Sequence, residues 1–223
     1  DVQRVTITSN TLDTLYASPD MHLPSPQEIV ERAEGERVQE RAANWPTSEI
    51  PKSCLSLDQT KVMSALSAVK SSIHIITSNL GSPSKLSSGF STWFGEYTSQ
   101  TPSLFEAWQS LSTFFTSSSV EFYVSCGGVQ CSPNTFAYVY GAYQYNVIYM
   151  CDFGLSRPTG WTARDSMPGI FIHEASHLSM ATSGLTTKDY DYGWTSVKAL
   201  PASQAQRNAD NYEYFAENQM GVN

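Results

Sequence analysis

The sequence predicts an α+β fold, mainly helical with a small sheet that contains antiparallel pairing. Three observations carry this reading. Apolar residues recur at helical spacing along two stretches in mid-chain, short β-prone runs follow them, and helical signals return in the last third. A chain of 223 residues is long enough for one sizeable core and short for two. The character of the sequence changes near residue 50, so residues 1–50 read as an N-terminal extension or the remnant of a pro-segment, and residues 51–223 as the main domain.

Val2, Val5 and Ile7 stand among polar residues and suit one strand, after which Ser25-Pro26-Gln27-Glu28 opens a charged helical stretch to about residue 41. From Cys54 the pattern becomes helical. Val62, Leu66, Val69, Ile73, Ile76 and Leu80 form one stripe, and Leu104, Trp108, Leu111 and Phe115 another; both are core faces. Between them, residues 91–97 suit part of a further helix or its cap. Three β-prone runs follow at residues 120–124, 136–140 and 147–150. The last two flank a short connection containing Gly141 and read as a hairpin. Helix returns near residue 168 and again over about 204–218, with no internal repeat or low-complexity linker.

The first returning helix carries His173-Glu174-Ala175-Ser176-His177. HExxH places two imidazoles one turn apart on one helix face with a carboxylate beside them, which is two ligands of a catalytic zinc site and its base. Pro168-Gly169 and the apolar Ile170-Phe171-Ile172 supply a start signal and a buried face, so a half-buried helix is expected. The pentapeptide also occurs in proteins that bind no metal, so the third ligand matters. A histidine six residues after His177 is excluded, because that position is Ser183. No Glu falls between Glu174 and Glu213, and His22 and His74 lie far upstream. Asp189 and Asp191 are the nearest downstream carboxylates.

Four cysteines, Cys54, Cys126, Cys131 and Cys151, in an acidic chain rich in Ser, Thr and Tyr point to two disulfides and an oxidising compartment. All three pairings stay open at this point. Cys126 and Cys131 lack the CxxC spacing of a second metal site. A net charge of -8 argues against nucleic acid, which needs basic patches. No window is apolar for long enough to cross a membrane, and no signal-peptide pattern stands at the N-terminus, so a secreted chain would already have lost its signal.

The run Thr187-Lys188-Asp189-Tyr190-Asp191-Tyr192-Gly193 resembles the GTxDxxYG signature of the deuterolysin family, the aspzincins. The resemblance extends from Cys54 onward through residues 91–95, 135–140 and 208–215, which are less specific blocks. Within the family it is greatest to the fungal peptidyl-Lys metalloendopeptidases, which share these blocks and the four-cysteine layout. The family's Gly-Thr reads Thr186-Thr187 here, and the loop from His177 to Asp189 is somewhat longer. The resemblance implies a zincin-like fold, one Zn²⁺ held by His173, His177 and Asp189, and catalysis by Glu174 and Tyr192. It also implies the pairs Cys54 with Cys126 and Cys131 with Cys151.

With that ligand set, Glu174 is the base for a metal-activated water, and the Tyr192 phenol donates to the oxyanion of the tetrahedral intermediate. In zincin-like folds a strand bordering the cleft holds extended substrate, and one of the three β-prone runs is expected to do so. Asp210 and Glu213 lie one helical turn apart and can face one pocket. In the family's lysine-specific members the matching residues receive the ammonium of the residue after the scissile bond. The expected function is a secreted, monomeric endopeptidase acting on polypeptides before lysine. The alternative is a zinc-scavenging surface antigen of the same fold. Glu174 and Tyr192 discriminate the two, since a pure metal binder needs neither.

Overall fold

The computed structural model describes residues 5–7, 54–140 and 146–223. The helix expected over 25–41 and the Gly141 turn lie outside the described residues. Strand β1 (Val5–Ile7) falls where alternation predicts it. Helix α1 (Ser56–Ser78) follows, then a two-stranded ribbon of β2 (Gly81–Ser82) and β3 (Lys85–Leu86), which sequence pattern did not reveal. Helix α2 (Ser88–Phe94) starts on Ser87, whose hydroxyl accepts from the Phe90 amide, and stops at Gly95. It begins and ends earlier than residues 91–97. Helix α3 (Thr101–Thr116) carries the second apolar stripe.

Strands β4 (Phe122–Cys126), β5 (Ala137–Tyr138) and β6 (Val147–Met150) complete a mixed sheet in the order β1, β4, β6, β5. β5 and β6 pair antiparallel, as the hairpin reading requires, while β4 and β6 run parallel. β1 joins at the far edge, pairing Val5 with Val124, so that among the described residues no strand pairs with the outer edge of β5. Both disulfides anchor this region. Cys54–Cys126 ties the start of α1 to the end of β4, and Cys131–Cys151 ties the loop after β4 to the start of α4 (Asp152–Leu155). In the chain-entropy view, loops of these lengths are worth about 3–4 kcal/mol each.

Helix α5 (Met167–Ser176) bears HExxH and runs through the middle of the molecule. The expectation of a half-buried helix is corrected here, since all ten of its residues are buried. Helices α1, α3 and α7 (Ala209–Gln219), the sheet and α4 pack around it, and only the side bearing His173 and Glu174 looks into a cavity. Gly169 sits at the closest approach to α7, where a Cβ would stand 2.5 Å from Glu217 Oε1. Ser166 caps α5, its hydroxyl accepting from the Gly169 amide at 3.2 Å. Glu217 Oε1 in turn accepts from the Ser166 amide and hydroxyl at 2.7 and 2.8 Å.

The single helix expected over 204–218 is two, α6 (Ala202–Ala205) and α7. Asn208 breaks it. Its backbone is extended, and its side chain ties the chain at 190–191 to the start of α7: Oδ1 accepts from the Tyr190 and Asp191 amides at 2.7 and 3.2 Å, and Nδ2 donates to the Asp191 carbonyl at 3.0 Å and to Asn211 Oδ1 at 2.8 Å. Below α7, Trp108 stacks on Tyr212 with centroids 5.2 Å apart, and Phe94 and Phe215 close the core. No helix of the described residues is long and apolar enough to cross a membrane.

Candidate metal centre and active-site cavity

α5 brings His173 and His177 to one face, and the loop leading to α7 lays Asp189 against both. Asp189 Oδ1 lies 3.3 Å from His173 Nε2 and 3.4 Å from His177 Nε2, and the three candidate ligand atoms fall within 4.8 Å of one another. Tetrahedral zinc with bonds of about 2.0–2.2 Å sets its ligand atoms about 3.3–3.5 Å apart. The residues fit the ion. Asp191 points elsewhere, its carboxylate accepting from the Tyr192 amide at 2.8 Å.

The loop is pinned from both ends. Lys188 pairs with Asn208 as an isolated bridge, donating to the Arg207 carbonyl at 2.8 Å and accepting from the Ala209 amide at 3.0 Å. Farther along, Gly193, at a φ of 90° that suits glycine, gives its amide to Asp210 Oδ2 at 2.7 Å.

A hydrogen-bond chain fixes the tautomer of His177. Ser176 Oγ donates to the His173 carbonyl at 2.6 Å, so in its 2.7 Å contact with Thr187 Oγ1 it accepts. Thr187 Oγ1, having donated there, accepts from His177 Nδ1 at 3.0 Å. The proton is thereby held on Nδ1, and Nε2 keeps a lone pair for the metal.

His173 is supported by carboxylates instead. Its Nδ1 lies 2.9 Å from Asp210 Oδ1 and 3.3 Å from Glu213 Oε2, ion-pair distances whose angles fall short of hydrogen bonds. Burial lowers the imidazole's basicity, but Asp189, Asp210 and Glu213 outweigh it and hold His173 well above its ordinary range. The same histidines keep Asp189 far below the usual carboxylate range, against the opposing effect of burial.

Glu174 is 5 % exposed and faces the same cavity. Burial raises its carboxyl, and the neighbouring histidines moderate the rise, which suits a group that must take and return a proton. Tyr192 is 59 % exposed and borders the cavity; burial of its phenol and the adjacent Asp189 push it up to about 12, so it is a neutral donor. Glu213 Oε1 is buried with no hydrogen-bond partner among the described residues, and burial raises this carboxyl well above its ordinary value. The cavity, about 680 Å³, is walled on one side by residues 134–139 of and around β5, and on the other by the α5, α7 and Asp189 segments.

Sequence reasoning named His173, Glu174, His177, Asp189, Tyr192, Asp210 and Glu213, and all seven line this one cavity. It did not name Thr187, Asn208, Asp165 or Tyr214 as site residues. The match to the lysine-specific metallo-endopeptidase family covers residues 79–217. The chain belongs to that family. Among family relatives, a peptidyl-Lys metalloendopeptidase from Armillaria mellea is 35 % identical over 168 residues, 74 % of this chain and 45 % of the relative. An extracellular protease from Aeromonas hydrophila is 29 % identical over 173 residues, 74 % and 46 %. The chain thus spans about half the length of these curated relatives. A solved zinc peptidase from Grifola frondosa superposes with a TM-score of 0.63 at 32 % identity, covering 75 % of this chain and 99 % of that one. This member of the family shares its zincin-like fold.

Proposed function

We propose that this chain is a secreted, monomeric zinc endopeptidase that cuts polypeptides before lysine, with residues 51–223 as the catalytic unit and residues 1–50 an extension or pro-segment remnant. The observation that carries the reading is the tetrahedral-edge spacing of His173, His177 and Asp189 next to a buried Glu174 in an open cavity. Two disulfides and the extracellular relative support secretion.

One zinc ion held by His173, His177 and Asp189 supplies Lewis acidity that makes water acidic and polarises the scissile carbonyl. Glu174 takes the proton of the attacking water. It then returns that proton to the leaving amine, which its raised carboxyl favours. The neutral phenol of Tyr192 donates to the oxyanion at the cavity mouth. Strand β5 stands at the sheet edge and lines the cavity, so its outward backbone groups can pair with an extended substrate.

Asp210 and Glu213 receive the lysine ammonium. Asp210 already serves His173 and the Gly193 amide, whereas Glu213 Oε1 has no partner within the described residues. A buried, unpaired carboxylate oxygen is costly, and an entering ammonium removes the cost, so the pocket favours a cation over an uncharged side chain. Digestion of an unstructured protein with the chain, followed by mass spectrometry of the new termini, tests the reading: the termini should begin with lysine.

A further inference from the structure

Asp165 stands just before the Ser166 cap of α5 with φ 52, one of two non-glycine residues at positive φ among the described residues. Asp and Asn are the side-chain-bearing residues that best tolerate this conformation. Three bonds hold it there. Arg157 Nε donates to the Asp165 carbonyl and Arg157 Nη2 to the Arg164 carbonyl, both at 2.8 Å, and the Tyr214 hydroxyl donates to Asp165 Oδ1 at 2.7 Å. Asp165 Oδ2 forms a long ion pair with Arg157 Nη2 at 3.7 Å, and the side chain still keeps 31 % of its surface open. It lines the same cavity as Asp210 and Glu213, and among the described residues no Lys or Arg lines that cavity.

Tyr214 links the three acids. Burial raises its phenol far above the ordinary value, and Glu213, Asp210 and Asp165 each raise it further, so all three carboxylates act on one hydroxyl. The hydroxyl donates to Asp165 and thereby orients it, while Glu213 Oε1, in the lining of the same cavity, is buried without a partner among the described residues. These three carboxylates line the cavity, Arg157 compensates only Asp165 and from outside the lining, and Glu213 Oε1 has no donor among the described residues, so a cation is the complementary occupant.

We propose that Asp165 is a third recognition carboxylate, which together with Asp210 and Glu213 sets the preference for a basic side chain over an uncharged one with the same four-carbon stem. The proposal rests on the lysine-directed reading above. Asp165→Asn removes the charge while keeping the shape, the tolerance of positive φ and an oxygen for Tyr214. The assay compares kcat/KM on two peptides that differ only in lysine or norleucine after the scissile bond, using zinc-loaded protein with its unfolding midpoint recorded.

In Asp165→Asn the lysine peptide should lose about tenfold, mainly through KM, and the norleucine peptide less than twofold. Equal losses on both peptides would mean that Asp165 only shapes the backbone, and an unchanged ratio would mean that it does not sense the substrate; either overturns the proposal. Should the asparagine variant fail to fold, Asp165→Gly is at home at positive φ and gives the same comparison. Wild-type protein that cuts both peptides equally would instead overturn the lysine reading itself, before any variant is compared.

Discussion

His173 Nδ1 faces Asp210 Oδ1 at 2.9 Å, on the opposite side of the ring from Asp189. One imidazole is therefore gripped by three carboxylates, Asp189 from the metal side and Asp210 and Glu213 from α7, of which Asp210 is the nearest. A carboxylate behind a ligating histidine orients the ring and raises its basicity, and its loss costs about 10–100-fold in metal affinity. Asp210→Asn should weaken zinc binding by that factor, measured by competition with a chelator of known affinity. Undiminished affinity would mean that α7 does not support the metal site.

The third ligand separates two aspartates two residues apart. Asp189→Ala should lose zinc or bind it far more weakly, because its oxygen completes the tetrahedral edges to both histidines. Asp191→Ala should retain zinc, its carboxylate being turned to the Tyr192 amide. Metal analysis of the two purified variants decides the matter, and the reverse result would move the ligand to Asp191.

Glu174→Gln should keep the metal and lose about 10²–10⁴-fold in kcat, since the base is removed while the ligands remain. Tyr192→Phe should cost less, about tenfold to a hundredfold, because it removes a single donor from an exposed position. A turnover assay with metal content measured on the same samples checks both. Wild-type turnover in the Glu174 variant would contradict the mechanism.

Glu217 offers a pH test away from the metal ligands. Burial raises its carboxyl from 4.5 to about 7, against the Ser166 hydrogen bonds that lower it. A raised folded-state value stabilises the fold fully below about 4.5, and that contribution is lost as pH rises through about 7. Glutamine keeps the acceptor for Ser166 and does not ionise. The stability of Glu217→Gln minus that of the wild type should therefore grow by up to about 3 kcal/mol between pH 4.5 and 8. Denaturant unfolding of both zinc-loaded proteins across that range measures it, and a flat difference would refute it.

The fold class read from the sequence holds, and its legible parts share a cause: they are local. The stripes of α1 and α3, the β5/β6 hairpin and the i, i+4 spacing of His173 and His177 are written within a few turns of chain. Burial of all ten α5 residues was not legible, because it depends on helices and strands far away in sequence packing around it. The break between α6 and α7 was hidden for a similar reason. Asn208 reads as a tolerable helical residue until its bonds to residues 190 and 191 are seen. Within the site, motif spacing named residues but not their neighbours. Asp165 and Tyr214 meet across 49 positions, and the turn of Asp210 toward His173 requires α7 to lie along α5.

The most direct test is digestion of a fully unfolded substrate protein with zinc-loaded wild-type chain and, in parallel, with Glu174→Gln, reading every new terminus by mass spectrometry. The account predicts new N-termini that begin with lysine in the wild-type digest and almost none in the variant digest. New termini with no preference for lysine, or an equal set of cuts from the Glu174 variant, would contradict it.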